Sequence, residues 1–310
     1  MSRADGELAA IEAIRRGLPR PPEGETWIGD DAAVVADSSG GLLLLAADAV
    51  VEGVHFDLGL VDVADVGWKA LAVNVSDIAA MGGRPLHALV TVVGAGASMI
   101  DGLVRGLAEA SATYGCAVVG GDLSAGPCLV VSIALTGTID TGRAIYRSGA
   151  KPGDLLFVTG PLGRSAAGLR ALCSEASGGQ SAAAELAAAY RRPAALVAEG
   201  VAAASGGASA MIDVSDGLGI DLDRLATASR VGIVLHEVPT AVGATRDDAL
   251  GGGEDYELIF AARDKGAISN TFSAAGLRAP LRIGECVADA AVRRIGDQLL
   301  EPSGWEHRLG

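Results

Sequence analysis

The apolar residues of this chain come in short runs separated by helix-period segments, and that alternation limits the folds open to it. Runs at 42–47, 86–93, 129–138, 155–159, 210–214, 231–235, 256–262 and 281–286 have strand length. Between them apolar residues recur every three or four positions. One such segment runs from Asp65, a capping residue, to about Met81. It carries Trp68, Leu71, Val75 and Ile78 on one face and stops at Gly82-Gly83. Helices are also predicted over 7–16, from Ser98 to Tyr114, and over 164–173, 216–229 and 264–275. Strands alternating with helices predict an α/β or α+β fold. A polar, turn-rich stretch at 140–154 interrupts the pattern, and 310 residues exceed the usual single domain. Two domains are expected, 1–142 and 143–310.

Charge and cysteine usage narrow the function classes. The chain has 24 Lys+Arg against 38 Asp+Glu, a net charge of −14. A general nucleic-acid binder needs a basic face, and anionic membranes repel an acidic protein. No apolar run approaches the roughly 20 residues of a membrane span. Cys116, Cys128, Cys173 and Cys286 form no C-x-x-C pair, which fits free thiols in a reducing compartment. A cytoplasmic protein is expected. P-loop, Rossmann, kinase and G-x-S-x-G signatures are all absent.

What remains is Asp beside Gly or at the ends of apolar runs: Asp30 and Asp31 after Gly29, Asp48 ending the strand 42–47, Asp122 in a turn Gly120-Gly121-Asp122 after a strand at 116–119, and Asp213 and Asp216 around Ser215. Asp77 falls in the last turn of its helix, the end that prefers cations, with Asn74 one turn earlier on the same face. Two polar groups on an apolar helix need a partner. Carboxylates are hard ligands, and Mg²⁺ bridges them to substrate phosphates, reversing the repulsion an acidic site would exert. Gly120, Gly121 and Gly251 to Gly253 allow backbone N–H groups near phosphate oxygens. These residues suggest a magnesium-dependent enzyme acting on phosphates. A calcium site or a structural acidic surface also fits them.

Longer strings narrow the choice. Gly29-Asp30-Asp31-Ala32-Ala33, Asp48 with Gly53-Val54-His55-Phe56, Lys69 through Gly82, and Gly120-Gly121-Asp122 occur in that order. Arg147 through Asp154, Asp213-Val214-Ser215-Asp216-Gly217-Leu218 and Gly252 through Leu258 follow. In order and spacing the chain resembles the thiamine-monophosphate kinase family, within the aminoimidazole ribonucleotide synthetase-like superfamily. The resemblance implies a two-domain fold whose N-terminal sheet pairs across a homodimer. It also implies the reaction of ATP with thiamine monophosphate to give thiamine diphosphate and ADP, with several Mg²⁺ ions.

By residue, the resemblance assigns Asp31, Ala47, Asp48, Asp77, Asp122, Asp213 and Asp216 to magnesium. Tyr114, Gly121, Asp122, Arg147 and Ser215 are assigned to ATP, and His55, Glu254 and Trp305 to thiamine phosphate. No acid or base is implied, because the acceptor phosphate is already anionic. Ala46 and Ala47 stand where the family often carries hydroxyls, so position 47 could offer only its carbonyl. Glu52 and Val54 also depart from the pattern beside His55. Selenophosphate synthetase would need an early Cys, and the first is Cys116. The hydrogenase-maturation protein would need a C-terminal Cys, and the tail reads Gly304 to Gly310 without one. A nucleotide-binding protein without catalysis is the remaining rival. The turn Thr159-Gly160-Pro161-Leu162-Gly163 reads as tight strand-to-helix packing and not as a phosphate loop.

Overall fold

The apolar runs pair into two sheets, with one largely buried helix between them. A computed structural model describes residues 6–38, 40–140, 142–174 and 180–307. The first sheet contains β1 (Ala33–Ala36), β2 (Leu42–Val51), β3 (Arg84–Val93), β4 (Ala117–Ser124) and β5 (Val130–Thr138), ordered β1-β2-β5-β3-β4. β3 and β4 are parallel, and the other pairs are antiparallel. The second sheet orders as β12-β11-β8-β10-β6-β9-β7. Its strands are β6 (Leu155–Val158), β7 (Ala208–Asp213), β8 (Gly232–Leu235), β9 (Leu258–Ala262), β10 (Leu281–Val287), β11 (Arg293–Ile295) and β12 (Gln298–Leu299).

Helix α2 (Val63–Ala80), second after α1 (Glu7–Gly17), organises the site. Fourteen of its eighteen residues are buried, so it is covered on nearly all sides. One face packs on β2, β3 and β5, and others meet α3 (Ala97–Tyr114), β7 and α6 (Val197–Ser205). The α2–α3 approach depends on glycine: a Cβ at Gly106 would lie 1.8 Å from the Ala64 carbonyl oxygen. Two cores result. One is under the first sheet around Leu44, Leu71, Ile78 and Ile133; the other is in the second around Leu156, Leu222, Ile233 and Ile259. Helices α4 (Arg164–Cys173), α5 (Gln180–Arg191), α7 (Leu218–Ser229), α8 (Arg246–Gly251) and α9 (Lys265–Ala274) flank the second sheet.

Several local expectations are corrected. β2 runs on to Val51, so Asp48 lies within a strand; the backbone keeps pairing with β5 through Val51↔Val130. Gly120-Gly121-Asp122 is no turn but the middle of β4, pairing with Leu89, Val90 and Thr91. A Cβ at Gly121 would meet the Val90 carbonyl oxygen at 1.8 Å, so close strand packing already requires glycine there. Asp62, not Asp65, caps α2, accepting the Ala64 N–H at 2.8 Å; Asp65 instead holds Arg192 at 2.6 Å. Ser98 does not cap α3, whose N-cap is Gly96. The helix expected from 216 begins at Leu218, because the Asp221 carboxylate takes the Asp216 and Gly217 N–H groups, each at 3.0 Å.

Candidate active site

Three carboxylates meet where the two sheets face each other across α2. Asp31 comes from the loop before β1, Asp77 from the last turn of α2, and Asp213 from the end of β7. One oxygen from each lies within 4.8 Å of the others, the one such group among the described residues. The cluster gathers loop, helix and strand from distant parts of the chain. Ser76, next to Asp77, donates its hydroxyl to Asp213 Oδ2 at 2.5 Å and so ties α2 to β7.

One cation serves this crowd. Arg147 Nη2 donates to Asp31 Oδ1 at 2.6 Å, and the Arg147 N–H donates to the Asp30 carboxylate at 3.1 Å. Burial alone would lower Arg147; the charge of Asp31 and its hydrogen bond hold it above its ordinary value. Asp31 Oδ2 and Arg147 Nε are both buried with no hydrogen-bond partner. Such atoms are rare, and here they point to something that binds between protein groups. The acids carry the cost of crowding. Burial pushes Asp77 and Asp213 well above the carboxylate range. Asp48, Asp213 and Asp31 reinforce the shift at Asp77, and Asp31 reinforces it at Asp213. The all-oxygen donor set, the repulsion and the unpartnered Asp31 oxygen together fit a hard divalent cation.

The other expected ligands divide. Asp48 lies near Asp77 and Asp216; its carboxyl is raised to about 6, first by burial. Ala47 neighbours it, paired with Ala134 in the sheet. Asp216 is held by Arg224 at 2.5 Å and stays outside the close group. Asp122 also stays outside it, exposed on β4 with Ser124 donating to it at 3.0 Å. Asn74 needs no cation: its Oδ1 accepts the Asp48 N–H at 2.8 Å, and its amide donates to the Ala70 carbonyl at 2.9 Å. It fastens β2 to α2.

Among the residues assigned to ATP, Arg147 and Ser215 border the cluster, Ser215 lying between Asp213 and Asp216. Gly121 lies beside Asp122 on β4. Tyr114 is elsewhere. Its hydroxyl donates to the Pro193 carbonyl at 3.4 Å and accepts the Ala195 N–H at 3.1 Å, and its ring stands 5.7 Å from Trp68. These contacts fasten α3 to the loop between α5 and α6.

The three residues assigned to thiamine phosphate are brought together. The C-terminal tail lies over α7, with the Trp305 N–H donating to the Asp216 carbonyl at 2.9 Å. A Cβ at Gly304 would meet Ile220 at 2.3 Å, so this approach needs glycine. The His307 ring then stands 5.5 Å from His55 and 6.2 Å from Trp305, which is 53% exposed. His55 Nδ1 accepts the Val51 N–H at 3.1 Å. Burial, with His307 and Lys69 adding, lowers its pKa to about 4. The ring is therefore neutral near pH 7 with its proton on Nε2, a donor.

Glu254 reaches the same place from the second half of the chain. It and Tyr256 are non-glycine residues in left-handed backbone, at φ 57° and 51°. That geometry costs on the order of 1 kcal/mol each, and here it is held by Glu254 N–H to Ser215 O at 2.7 Å and Tyr256 N–H to Val214 O at 2.9 Å. The Glu254 carboxylate pairs with Lys69 at 2.9 Å. Sequence reasoning missed Lys69 and His307. The signal for Lys69 was available: a charge in the middle of an apolar helix, in a chain with only three lysines.

Beyond Glu254 a cavity of about 770 Å³ opens against α4, α5 and residues 241–242, with Thr159, Arg164 and Glu257 in its wall. The Thr159–Gly163 turn beside it is packing, as expected. The Asp255 carboxylate takes the Gly163 and Ser165 N–H groups that a phosphate would use.

Comparison with known proteins agrees with this geometry. Residues 29–139 match the AIR synthase related protein N-terminal domain, and residues 151–297 match the C-terminal domain. Thiamine-monophosphate kinase of Mycobacterium tuberculosis (strain CDC 1551 / Oshkosh) is 40% identical over 82% of this chain and 80% of its own. The chain belongs to the thiamine-monophosphate kinase family. The Bacillus subtilis (strain 168) member is 38% identical over 79% of this chain and 78% of its own. The structure of AaThiL complexed with AMPPCP and TMP superposes with a TM-score of 0.87 at 32% identity, covering 99% of both chains. The two-domain fold is thus shared with that structure.

Proposed function

We propose that this chain transfers the γ-phosphoryl group of ATP to thiamine monophosphate, giving thiamine diphosphate and ADP. The observation that carries the reading is the Asp31–Asp77–Asp213 cluster beside Arg147, in a chain of this family. Magnesium held by Asp31, Asp77 and Asp213, with Asp48, the Ala47 carbonyl, Asp122 and Asp216 as further ligands, would neutralise and align the phosphates. Arg147 can offer its free guanidinium edge to phosphate oxygens while Asp31 holds the other edge. Ser215, Gly121 and Tyr114 complete the residues assigned to ATP. His55 donates from Nε2 toward the acceptor, Trp305 offers an aromatic face to its cationic ring, and Glu254 bounds the same space. The acceptor oxygen is anionic near neutral pH, so these residues bind and orient it and need not remove a proton.

The same reading makes the protein a cytoplasmic homodimer with its domain boundary near 142/143. In support, no helix among the described residues is long and apolar enough to cross a membrane, and β4 is an exposed, apolar edge strand. The test is ADP release from Mg-ATP with and without thiamine monophosphate, with free thiamine as control acceptor and the product identified chromatographically. Thiamine diphosphate formed only from the monophosphate is expected. ATP binding without turnover would sink the reading in favour of another acceptor or a non-catalytic nucleotide binder.

A further inference from the structure

Lys69 is 2% exposed, in the middle of α2, with every ammonium proton committed. Its Nζ donates to both Glu254 oxygens at 2.9 Å and to the His55 carbonyl at 3.0 Å. The face of the Tyr190 ring lies 4.2 Å from it. One ammonium thus joins four segments: the turn after β2, α2, α5 and the 252–257 loop.

We propose that Lys69 is a positioning residue for the phosphate acceptor, fixing the backbone of His55 and the carboxylate of Glu254 in one relative pose. The proposal rests on the reading that His55 and Glu254 meet thiamine monophosphate. Two features separate Lys69 from an ordinary packing contact. The first is what it holds. The Glu254 loop keeps left-handed backbone at two non-glycine residues, a conformation that surrounding contacts must impose. Among the described residues Lys69 is the one ion-pair partner of Glu254. The second is direction. His55 is fixed from both ends, its ring by the Val51 N–H and its carbonyl by Lys69, so Nε2 has one orientation toward the tail. Asp31, Asp77 and Asp213 are absent from the contacts of Lys69. Its loss should therefore disturb the acceptor side of the site and leave the ATP side alone.

The chemistry also sets what Glu254 can offer. Because Lys69 neutralises both oxygens, Glu254 presents hydrogen-bond acceptors and not a free anion. Selection there works by donor geometry, such as an exocyclic amine, more than by attraction to positive charge.

Steady-state kinetics of the full-length chain test this with K69M, E254Q, H55A and the double variant K69M/E254Q, each with its Tm. K69M should raise the acceptor KM about tenfold or more and change the ATP KM by less than about twofold. The double variant should resemble the worse single variant and not the product of the two, because the residues act as a pair. Should K69M fail to fold with Glu254 left unpaired, the double variant, which buries no orphan charge, carries the same test. A K69M enzyme with lowered Tm and unchanged acceptor KM, beside an E254Q enzyme with raised acceptor KM, would overturn the proposal and leave the site reading standing. If neither H55A nor E254Q moves the acceptor KM, the site reading itself fails and takes the proposal with it.

Discussion

Arg147 and Asp31, 116 positions apart, meet at 2.6 Å in a partly buried pair that uses only part of each group. Nη2 and Oδ1 are joined, while Nε and Oδ2 are buried without partners. A structural ion pair of this kind usually closes as a two-point fork. Left half-open beside two further carboxylates, it suits a ligand with charge of both signs, as the proposed metal-bound phosphate would be. Arg147→Lys keeps the charge and loses the fork. We expect kcat/KM for ATP to fall about tenfold to a hundredfold with little change in Tm. Equal turnover in the lysine variant would show that Arg147 serves only to hold Asp31.

Asp77→Asn separates metal binding from folding. Asp77 sits among Asp31, Asp48 and Asp213, and burial holds its carboxyl well above the usual range. Removing its charge should not weaken the metal-free fold, and Tm in chelator should stay level or rise. On the proposed reading, in which Asp77 is a metal ligand, turnover should drop about a hundredfold or more. Full activity in D77N would remove Asp77 from the metal cluster.

The raised carboxyls also predict how the metal-free protein responds to pH. Asp48 is raised from 3.8 to about 6 and Asp30 to about 7, both chiefly by burial; burial also raises Asp77 and Asp213 well above the usual range. A carboxyl raised in the folded state binds more protons folded than unfolded. Its stabilisation is full below the unfolded value and is lost as pH rises through the folded value. Tm in chelator should therefore fall as pH climbs from about 5 to about 8. On the proposed reading magnesium would bind the deprotonated cluster, so adding it should restore Tm most at the upper end. A Tm that rises with pH in chelator would contradict the buried cluster.

How much of this was legible in the sequence follows from which contacts are local. The strands at 86–93 and 129–138 and the helix at 164–173 announce themselves by periodicity, and the structure has them within a few residues. Asp48 and Gly120 to Asp122 were misplaced because Gly and Asp ordinarily mark turns, and only pairing with β5 and β3 keeps them in strands. The carboxylates were legible as a set of acids, but which three of them lie closest together was not. Asp31, Asp77 and Asp213 converge through tertiary packing, while Asp216 is held by Arg224 and Asp122 sits apart on β4. Lys69 was legible as the one positive charge within a largely apolar helix, but its partner was not, because Glu254 is 185 positions away.

The start of α2 offers a test of local stability away from the site. Asp62 accepts the Ala64 N–H at 2.8 Å as N-cap, and its contact with Arg105 at 3.3 Å is exposed at both ends. The cap supplies most of its worth. Asp62→Ala should cost about 1 kcal/mol and Asp62→Asn a few tenths, read as a shift of the urea midpoint at constant slope. A larger loss from Asp65→Ala through Arg192 is compatible with this; no loss from Asp62→Ala is not.

The open edge of the first sheet makes the last prediction. β4 pairs only with β3, and all eight of its residues are exposed, with Val119 at 58% and Leu123 at 69%. Uncovered edge strands carrying apolar side chains invite pairing, and proteins that stay single blunt them with charge or proline. β4 has no proline and one charge, Asp122, beside the exposed Val118, Val119 and Leu123. A second copy is the simplest cover, since two-fold closure buries the same strand on both chains. Light scattering should give twice the 30.9 kDa of one chain, and the pair Val119→Lys with Leu123→Lys should reduce it to one. Activity should fall with the mass, because Asp122 and Gly121, assigned to metal and ATP, lie on the strand the partner would hold in place. A wild-type mass of one chain with full turnover would show that β4 works uncovered.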